Sequence, residues 1–244
     1  MTVNPSPMSI LALNVQAGGG PRVPALTKFL DDHDPQIVVL SEWRDNPSGR
    51  NLRAWADARK MHHAGQNDGG TANGVFLAAN APFTQEAVTP KGGGAGVLML
   101  THFDSFSILA CYFPGMKEKA PFFARCAEIA ASHTSRPFVI LGDLNTGNQV
   151  GDRSEKADRY LCAEDFGALT THHGLHDLWR RTHGPEAREW TWMSRTNNGF
   201  RIDHAFANDA FVQHANPSCV YDHRPRENRW TDHSALIVRS GQES

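Results

Sequence analysis

The 244-residue sequence predicts an α/β fold in which the β-sheets are covered on both faces. Apolar runs without polar alternation, at residues 37–40 and 138–141, are typical of strands buried on both faces. Each run follows a predicted helix and a Pro-containing turn, so helices alternate with strands. Hydrophobic residues make up 40% of the chain, an ordinary share for a globular protein, which excludes global disorder.

The individual elements follow from the same patterns. Short runs rich in β-branched or aromatic residues predict strands at 9–13, 37–40, 74–78, 96–101, 106–112, 138–141, 202–207 and 235–238. Helices are predicted over residues 23–30 and 122–133, directly before the two buried runs. Glycine clusters at 18–20, 69–70 and 92–94 lie between apolar segments and indicate turns within a domain. We therefore expect one domain over residues 1–244.

Composition excludes several classes of protein. The chain has 24 Lys and Arg against 26 Asp and Glu, which argues against a strongly basic nucleic-acid binder or a polybasic membrane-surface protein. The four cysteines form no CxxC pair, so we expect reduced thiols rather than a zinc finger or a disulfide framework. No apolar run approaches the roughly 20 residues that span a bilayer, and the first nine residues lack signal-peptide features. We expect a cytoplasmic monomer that needs no membrane or protein partner.

Polar side chains follow three of the predicted strands. Asn14, Glu42 and Asp143 each lie at or just beyond a strand end, where α/β proteins place their sites. Carboxylate and amide oxygens select Mg²⁺ or Mn²⁺ over Zn²⁺. Together with a histidine, such a set suits hydrolysis of a phosphate ester. Each residue alone is more often a turn or cap residue, so the prediction depends on their joint occurrence.

Five short motifs occur in a fixed order along the chain. They read L-N-V at 13–15, L-S-E at 40–42, G-D-L-N at 142–145, R-I-D-H at 201–204 and T-D-H at 231–233. With these motifs the chain resembles the endonuclease/exonuclease/phosphatase superfamily, from residue 9 to about 238. The resemblance implies a four-layer αββα sandwich, in which two packed mixed β-sheets are flanked by helices. It also implies a Mg²⁺-dependent phosphodiesterase in which Mn²⁺ can substitute.

Further segments resemble one branch, exonuclease III and the abasic-site endonucleases. These segments read C-Y-F-P at 111–114, G-L-H-D-L-W-R at 174–180, W-T-W at 190–192 and G-F-R-I-D at 199–203. The resemblance implies a DNA endonuclease or 3′-exonuclease, with abasic sites among its substrates. Two alternatives stay open: a phosphatase or phosphodiesterase acting on RNA, a nucleotide or another phosphate ester, and an inactive binding module of the same fold.

The resemblance also implies a role for each motif residue. Glu42 would be the principal metal ligand, within a set comprising Asn14, Glu42, Asp143, Asn145 and Asp232. The catalytic set would comprise Tyr112, Asp143, Asn145, Asp203 and His233. Asp143 would orient or deprotonate the attacking water, and Asn145 would contact the phosphate or a second metal ion. Asp203 would hold His233 against the scissile phosphate, and Tyr112 would stabilise the phosphate or the leaving oxygen.

Seven residues are candidates for substrate binding: Trp192, Phe200, Arg201, Ile202, Arg224, Arg226 and Arg229. The three apolar ones match positions that form a pocket for a base-free sugar in the abasic-site branch. Aromatic residues at alternating strand positions fit a hydrophobic core equally well. The arginines of residues 224–229 fit either contacts with the DNA backbone or a charged surface loop.

Two positions depart from the family pattern. Gln16 stands where relatives carry Asp or Asn, two residues after the first-strand Asn. Gly115 stands where nuclease relatives carry Asn or Gln, directly after the Y-F-P segment. A phosphate donor is therefore expected to be missing at residue 115, and no metal role is assigned to residue 16.

Overall fold

The computed structural model describes residues 8–92 and 94–241 and contains two six-stranded β-sheets. The strands are β1 (Ser9–Asn14), β2 (Ile37–Trp43), β3 (His62–Gln66), β4 (Gly74–Ala79), β5 (Thr84–Ala87), β6 (Val97–His102), β7 (Ser107–Tyr112), β8 (Phe138–Asp143), β9 (His176–Asp177), β10 (Trp192–Met193), β11 (Gly199–Phe200), β12 (Asp203–Ala207), β13 (Ser218–Asp222) and β14 (Ala235–Arg239). The helices are α1 (Val23–His33), α2 (Pro47–Ala58), α3 (Ala120–Ser132), α4 (Ala163–Thr171), α5 (Leu178–His183), α6 (Asp209–Ala215) and α7 (Arg224–Glu227).

Both large sheets are mixed. The first has the strand order β13-β14-β1-β2-β4-β3, and the second has the order β5-β6-β7-β8-β12-β9. β1 runs parallel to β2 and β7 runs parallel to β8, whereas the other neighbours in the two sheets are antiparallel. β10 and β11 form a separate two-stranded ribbon.

The two sheets pack face to face, and helices cover their outer faces. Side chains from both sheets form one apolar layer, among them Ile10, Val39, Ile108 and Val139. On the outer face of the first sheet, α1 and α2 bury Leu26 and Leu52 against Val38. On the second sheet, α3 and α4 bury Phe122 and Leu169. Each such side chain contributes about 1.5–3 kcal/mol when fully buried. The predicted four-layer sandwich is therefore confirmed.

All eight predicted strands and both predicted helices are present, with ends shifted by up to three residues. Five helices and several short strands were not predicted. α2 did carry a sequence signal: Asn46 caps it by accepting a hydrogen bond from the Gly49 N–H, and Pro47 occupies its first position. Within residues 8–92 and 94–241, no helix is both long and apolar enough to cross a membrane.

The topology brings the ends of β1, β2 and β8 to one edge of the sandwich. β1 and β2 are parallel neighbours in the first sheet, so Asn14 and Glu42 lie at the same end of that sheet. The Asn14 amide donates a hydrogen bond of 2.8 Å to Asp143 in the second sheet. Residues 129 positions apart thus meet at this edge, where the predicted site is expected.

Candidate active site

Glu42 projects from a backbone irregularity in β2. The pairing of β2 with β4 shifts register between Ser41 and Trp43, and Glu42 has a φ of 56°, which is uncommon for a residue other than glycine. Its carboxylate accepts hydrogen bonds from the Asn14 amide at 3.1 Å and from the Ala17 N–H at 2.7 Å. The bulge and these two donors hold the carboxylate at the sheet edge.

The positions of Asp143 and Asn145 depend on a close approach between β7 and β8. A Cβ on Gly142 would lie 2.1 Å from the Cys111 carbonyl oxygen, so only glycine fits before Asp143. The Asp143 carboxylate accepts a 2.9 Å hydrogen bond from the Asn145 N–H in addition to the bond from Asn14. Burial raises the pKa of Asp143 to about 7, against the opposing effect of His233. Asp143 can therefore exchange a proton near neutral pH.

Asp203 and His233 form a buried pair beside Asp143. β12 pairs with β8 so that Asp203 lies opposite Asp143. The Nδ1 of His233 donates to the Asp203 carboxylate at 2.9 Å. Burial by itself lowers the pKa of His233, but the surrounding carboxylates, with Asp203 the strongest of them, outweigh this effect and raise it to about 10. Ligand atoms of all three side chains lie within 4.8 Å of one another, so a cationic imidazole stands next to a carboxyl group that titrates near pH 7.

Tyr112 ends β7, and its Cα pairs with that of Asp143 across the sheet. Burial and then the charge of Glu42 raise the pKa of Tyr112 to about 12. The phenol therefore stays protonated at neutral pH and can donate a hydrogen bond.

Lys119 is a site residue that the sequence analysis missed. Its side chain is buried, and its ammonium group donates to the Asn145 carbonyl oxygen at 2.5 Å. Burial lowers the pKa of Lys119. Nothing in the sequence separates Lys119 from Lys117, since only packing against residue 145 distinguishes them.

A cleft of about 640 Å³ lies beside these groups, and Asn14, Tyr112 and Asp203 are not among the described residues that line it. Eight of the predicted site residues line it: Glu42, Asp143, Asn145, Trp192, Phe200, Ile202, Asp232 and His233. Residues that were not predicted also line it: Met116, Lys119, Asp158, Arg159, Tyr160 and Leu161. Gly115 lies at the cleft, with open space where a side chain would project.

The donor set of the cleft fits a hard divalent cation. Glu42, Asp143, Asn145 and Asp232 offer carboxylate and amide oxygens, and no cysteine lines the cleft among the described residues. The Trp192 Nε1–H donates to the Asp232 carboxylate at 3.0 Å and orients it. Asn14 is fully buried, and its amide oxygen accepts from the Gln16 N–H at 2.8 Å. Asn14 therefore holds Glu42 and Asp143, and its own metal contact stays a prediction.

The prediction that Arg201 binds substrate is wrong. Phe200 and Ile202 line the cleft, whereas Arg201, which lies between β11 and β12, does not. The Arg201 guanidinium is fully buried and pairs with Asp152 at 2.7 Å and Asp177 at 2.5 Å.

The arginines of residues 224–229 do not line the cleft. Arg224 pairs with Asp222 and lies over the Phe29 ring, and Arg226 donates to the Ser234 hydroxyl. Arg229 is exposed on the same segment. Their contact with a substrate stays a prediction.

The departure at Gln16 also has a local explanation, since its side-chain oxygen accepts a hydrogen bond from Arg22.

His204, the last residue of the R-I-D-H motif, lies behind the site. Its Nε2 donates to the Thr146 carbonyl oxygen at 2.8 Å, and its Nδ1 is buried without a partner among the described residues. Burial, and then the charge of Arg201, lower the pKa of His204 to about 4.

This depressed pKa predicts a loss of stability in acid. Between pH 6.5 and 4 the unfolded chain binds a proton at His204 and the folded chain does not, so the free energy of unfolding falls as the pH falls. We expect His204 to account for about 2 kcal/mol of the loss between pH 7.5 and 5. His204→Gln keeps a donor for Thr146 and does not titrate. Urea unfolding at both pH values should show a smaller loss for His204→Gln, and equal losses would contradict the prediction.

The sandwich fold and the cleft define a metal-dependent hydrolase of phosphoric esters. The sequence matches the model of the Endonuclease/Exonuclease/phosphatase family over residues 11–233, and the chain belongs to this family. The superfamily predicted from the five motifs is confirmed.

Solved structures with the same fold include three proteins that are each less than 25% identical to this chain. An AP endonuclease from Archaeoglobus fulgidus has a TM-score of 0.81 at 17% identity, over 96% of this chain and 100% of that one. The 3′-5′ exonuclease NExo from Neisseria meningitidis has a TM-score of 0.81 at 22% identity, over 96% and 100%. Truncated TDP2 from Caenorhabditis elegans has a TM-score of 0.70 at 16% identity, over 97% and 98%. Comparison with curated proteins gives no match.

Proposed function

We propose that the chain is a Mg²⁺-dependent phosphodiesterase that hydrolyses DNA as an endonuclease or 3′-exonuclease, with abasic sites among its substrates. The observation that carries this proposal is the cluster of Asp143, Asp203 and His233, whose ligand atoms lie within 4.8 Å of one another next to the oxygen donors of the cleft. The presence of this intact cluster favours catalysis over the alternative of an inactive binding module.

The roles of the side chains follow from their protonation states. Asp143, with its pKa near 7, orients the attacking water and accepts its proton. His233, held by Asp203, is cationic and stabilises the phosphoryl oxygens. The water oxygen bonds to phosphorus as the bond to the 3′ oxygen breaks, and the departing oxygen takes up a proton from solvent water.

The remaining residues bind and position the substrate. The phenol of Tyr112 donates a hydrogen bond to the phosphate, and Lys119 adds positive charge beside Asn145. Trp192, Phe200 and Ile202 form an apolar wall for the sugar. A Mg²⁺ ion held by Glu42, with Asp232 and Asn145 nearby, would neutralise charge on the phosphate.

A substrate panel tests the proposal. Abasic duplex, nicked duplex, single-stranded DNA, RNA and small phosphate esters are incubated with Mg²⁺, with Mn²⁺ or with EDTA. We expect metal-dependent cleavage of DNA, full loss in EDTA and recovery on adding Mg²⁺. Cleavage that persists in EDTA, or that is confined to RNA or small esters, would contradict it.

A second candidate function is removal of a 3′-terminal phosphate from DNA. The described residues that line the cleft include only two Lys or Arg residues, Lys119 and Arg159, which suits a chain end better than a long duplex. The 3′ phosphatase NExo from Neisseria, solved with a product DNA hairpin, has the same fold. An oligonucleotide ending in a 3′-phosphate, added to the panel, separates the two candidates.

Replacing Arg159 by Ala is expected to weaken substrate binding. Because Arg159 lines the cleft, the loss of one phosphate contact should raise KM about 10-fold and reduce the salt dependence of binding by about one ion. Arg59→Ala is the matched control, since Arg59 pairs with Asp31 on the surface and does not line the cleft. KM measured at several salt concentrations checks this, and equal effects of both variants would refute it.

A further inference from the structure

A chain of hydrogen bonds leads from Arg44 through Asn73 to Tyr112. The Nε–H of Arg44 donates to the side-chain oxygen of Asn73 at 2.7 Å. The side-chain NH₂ of Asn73 donates to the Tyr112 hydroxyl oxygen at 3.0 Å. Neither Arg44 nor Asn73 belongs to a motif that the sequence analysis identified, and neither lines the cleft.

The chemistry of these groups allows only one direction of donation along this series of hydrogen bonds. A guanidinium group can only donate hydrogen bonds, so the Asn73 oxygen must face Arg44 and the Asn73 NH₂ group must face Tyr112. The Tyr112 oxygen therefore accepts a hydrogen bond on one side. A phenol O–H lies near the ring plane, so its hydrogen turns to the opposite side and is available to another acceptor.

The first two members of the chain are themselves held in place. Arg44 directly follows β2, and its aliphatic carbons pack on Gly18, where a Cβ would lie 3.3 Å from three of them. Gly18 has a φ of +78°, which further favours glycine there. Asn73 directly precedes β4, whose first residue, Gly74, pairs with Trp43 of β2. The sheet thus holds Arg44 and Asn73 side by side.

Tyr112 stands next to the cleft. Its Cα pairs with that of Asp143, and the charges of Glu42 and Asp143, both of which line the cleft, act on its phenol. A phosphate bound in the cleft would meet a donor whose direction is set before binding. Such preorganised donors stabilise charge that develops during reaction without a cost of reorientation.

We propose that Asn73 is a positioning residue that, fixed by Arg44, directs the Tyr112 hydroxyl hydrogen toward the substrate phosphate. This inference rests on the proposed function, because it assigns Tyr112 the role of a phosphate donor. Asn73 acts only through Tyr112, so its removal should matter only when the hydroxyl is present.

A double-mutant cycle tests this dependence. Asn73→Ala is made in the wild type and in Tyr112→Phe, and kcat and KM are measured on the best DNA substrate of the panel. We expect kcat to fall about 10-fold and KM to rise in the wild-type background, with no further change in Tyr112→Phe. Equal losses in both backgrounds, or no loss in the wild type, would overturn the inference.

Two further variants test the direction of the hydrogen bonds that lead from Arg44 to Tyr112. Asn73→Asp offers only acceptor oxygens, turns the Tyr112 hydrogen away from the substrate and should lower kcat as much as Tyr112→Phe does. Arg44→Met frees the amide to rotate, and it should lower kcat in the wild type but not in Asn73→Ala. Asn80→Ala is the matched control, because Asn80 is exposed at the other end of β4. Thermal unfolding by circular dichroism verifies that each variant is folded.

Binding of inorganic phosphate gives a readout that does not require turnover. Isothermal titration with phosphate in the presence of Mg²⁺ should show the same loss of affinity in Asn73→Ala, in Tyr112→Phe and in the double variant. A wild type that binds phosphate but hydrolyses nothing would refute the proposed function. The positioning role of Asn73 would then be decided by the phosphate titration alone. Unchanged affinity in Asn73→Ala, or no phosphate binding by the wild type, would overturn the inference.

Discussion

Replacing Asp143 by Asn is expected to lower kcat on the preferred DNA substrate by roughly 10²- to 10⁴-fold. The amide keeps the size of the side chain but cannot accept a proton from water. The pKa of Asp143, raised to about 7 by burial, is suited to that transfer, whereas an ordinary carboxylate is a weaker base. Single-turnover rates at saturating substrate measure this effect on the reaction step.

Asp158→Asn is the matched control for this experiment. Asp158 lines the same cleft, so its replacement removes a negative charge from the same cavity without touching the Asp143–Asp203–His233 cluster. We expect Asp158→Asn to change kcat less than threefold, an order-of-magnitude expectation for a charge with no assigned contact. If Asp143→Asn retained activity within a factor of ten of the wild type, Asp143 would not be the base.

Replacing Arg201 by Met is expected to lower the free energy of unfolding by about 3–5 kcal/mol. The substitution leaves Asp152, and with it Asp177, buried without their main partner. Although burial tends to raise the pKa of Asp152, the Arg201 guanidinium holds it below its usual range. Arg180 also pairs with Asp152 at 2.5 Å and compensates in part.

Arg59→Met supplies the comparison for Arg201→Met. Arg59 pairs with Asp31 and Asp34 on the surface, where both carboxylates are largely exposed, and such pairs contribute at most about 1 kcal/mol. Urea unfolding of both variants at pH 7.5 measures the difference. Similar losses in Arg59→Met and Arg201→Met would show that the buried network is not a major source of stability.

Arg201 also shows why sequence reasoning misassigned one residue of a well-matched motif. Asp203 of the R-I-D segment lies beside Asp143 and His233, and its role in the site stays a prediction. Resemblance alone does not tell which way each side chain turns, and the Asp152 and Asp177 carboxylates that pair with Arg201 are 49 and 24 positions away in sequence. The guanidinium faces them because a buried charge needs a partner.

The contrast between Lys119 and the arginines of residues 224–229 has the same origin. The arginines were candidates for substrate binding because they cluster in sequence directly before Asp232. In the structure α7 carries Arg224 and Arg226, and none of the three lines the cleft. Lys119 stands in an unremarkable Lys-Glu-Lys stretch, but the start of α3 brings it against Asn145. Charge spacing along the chain did not reveal either outcome.

The sequence by itself determined the αββα architecture, the family and most of the residues that meet in the cleft. Those depend on local patterns: apolar runs buried on both faces, and polar residues at the strand ends. Only the tertiary structure decided the left-handed turn at Glu42, the burial of Arg201, the place of Lys119 and the contact of Asn73 with Tyr112. Each of these depends on a partner that is distant in sequence, and packing selects that partner after the strands and helices have formed.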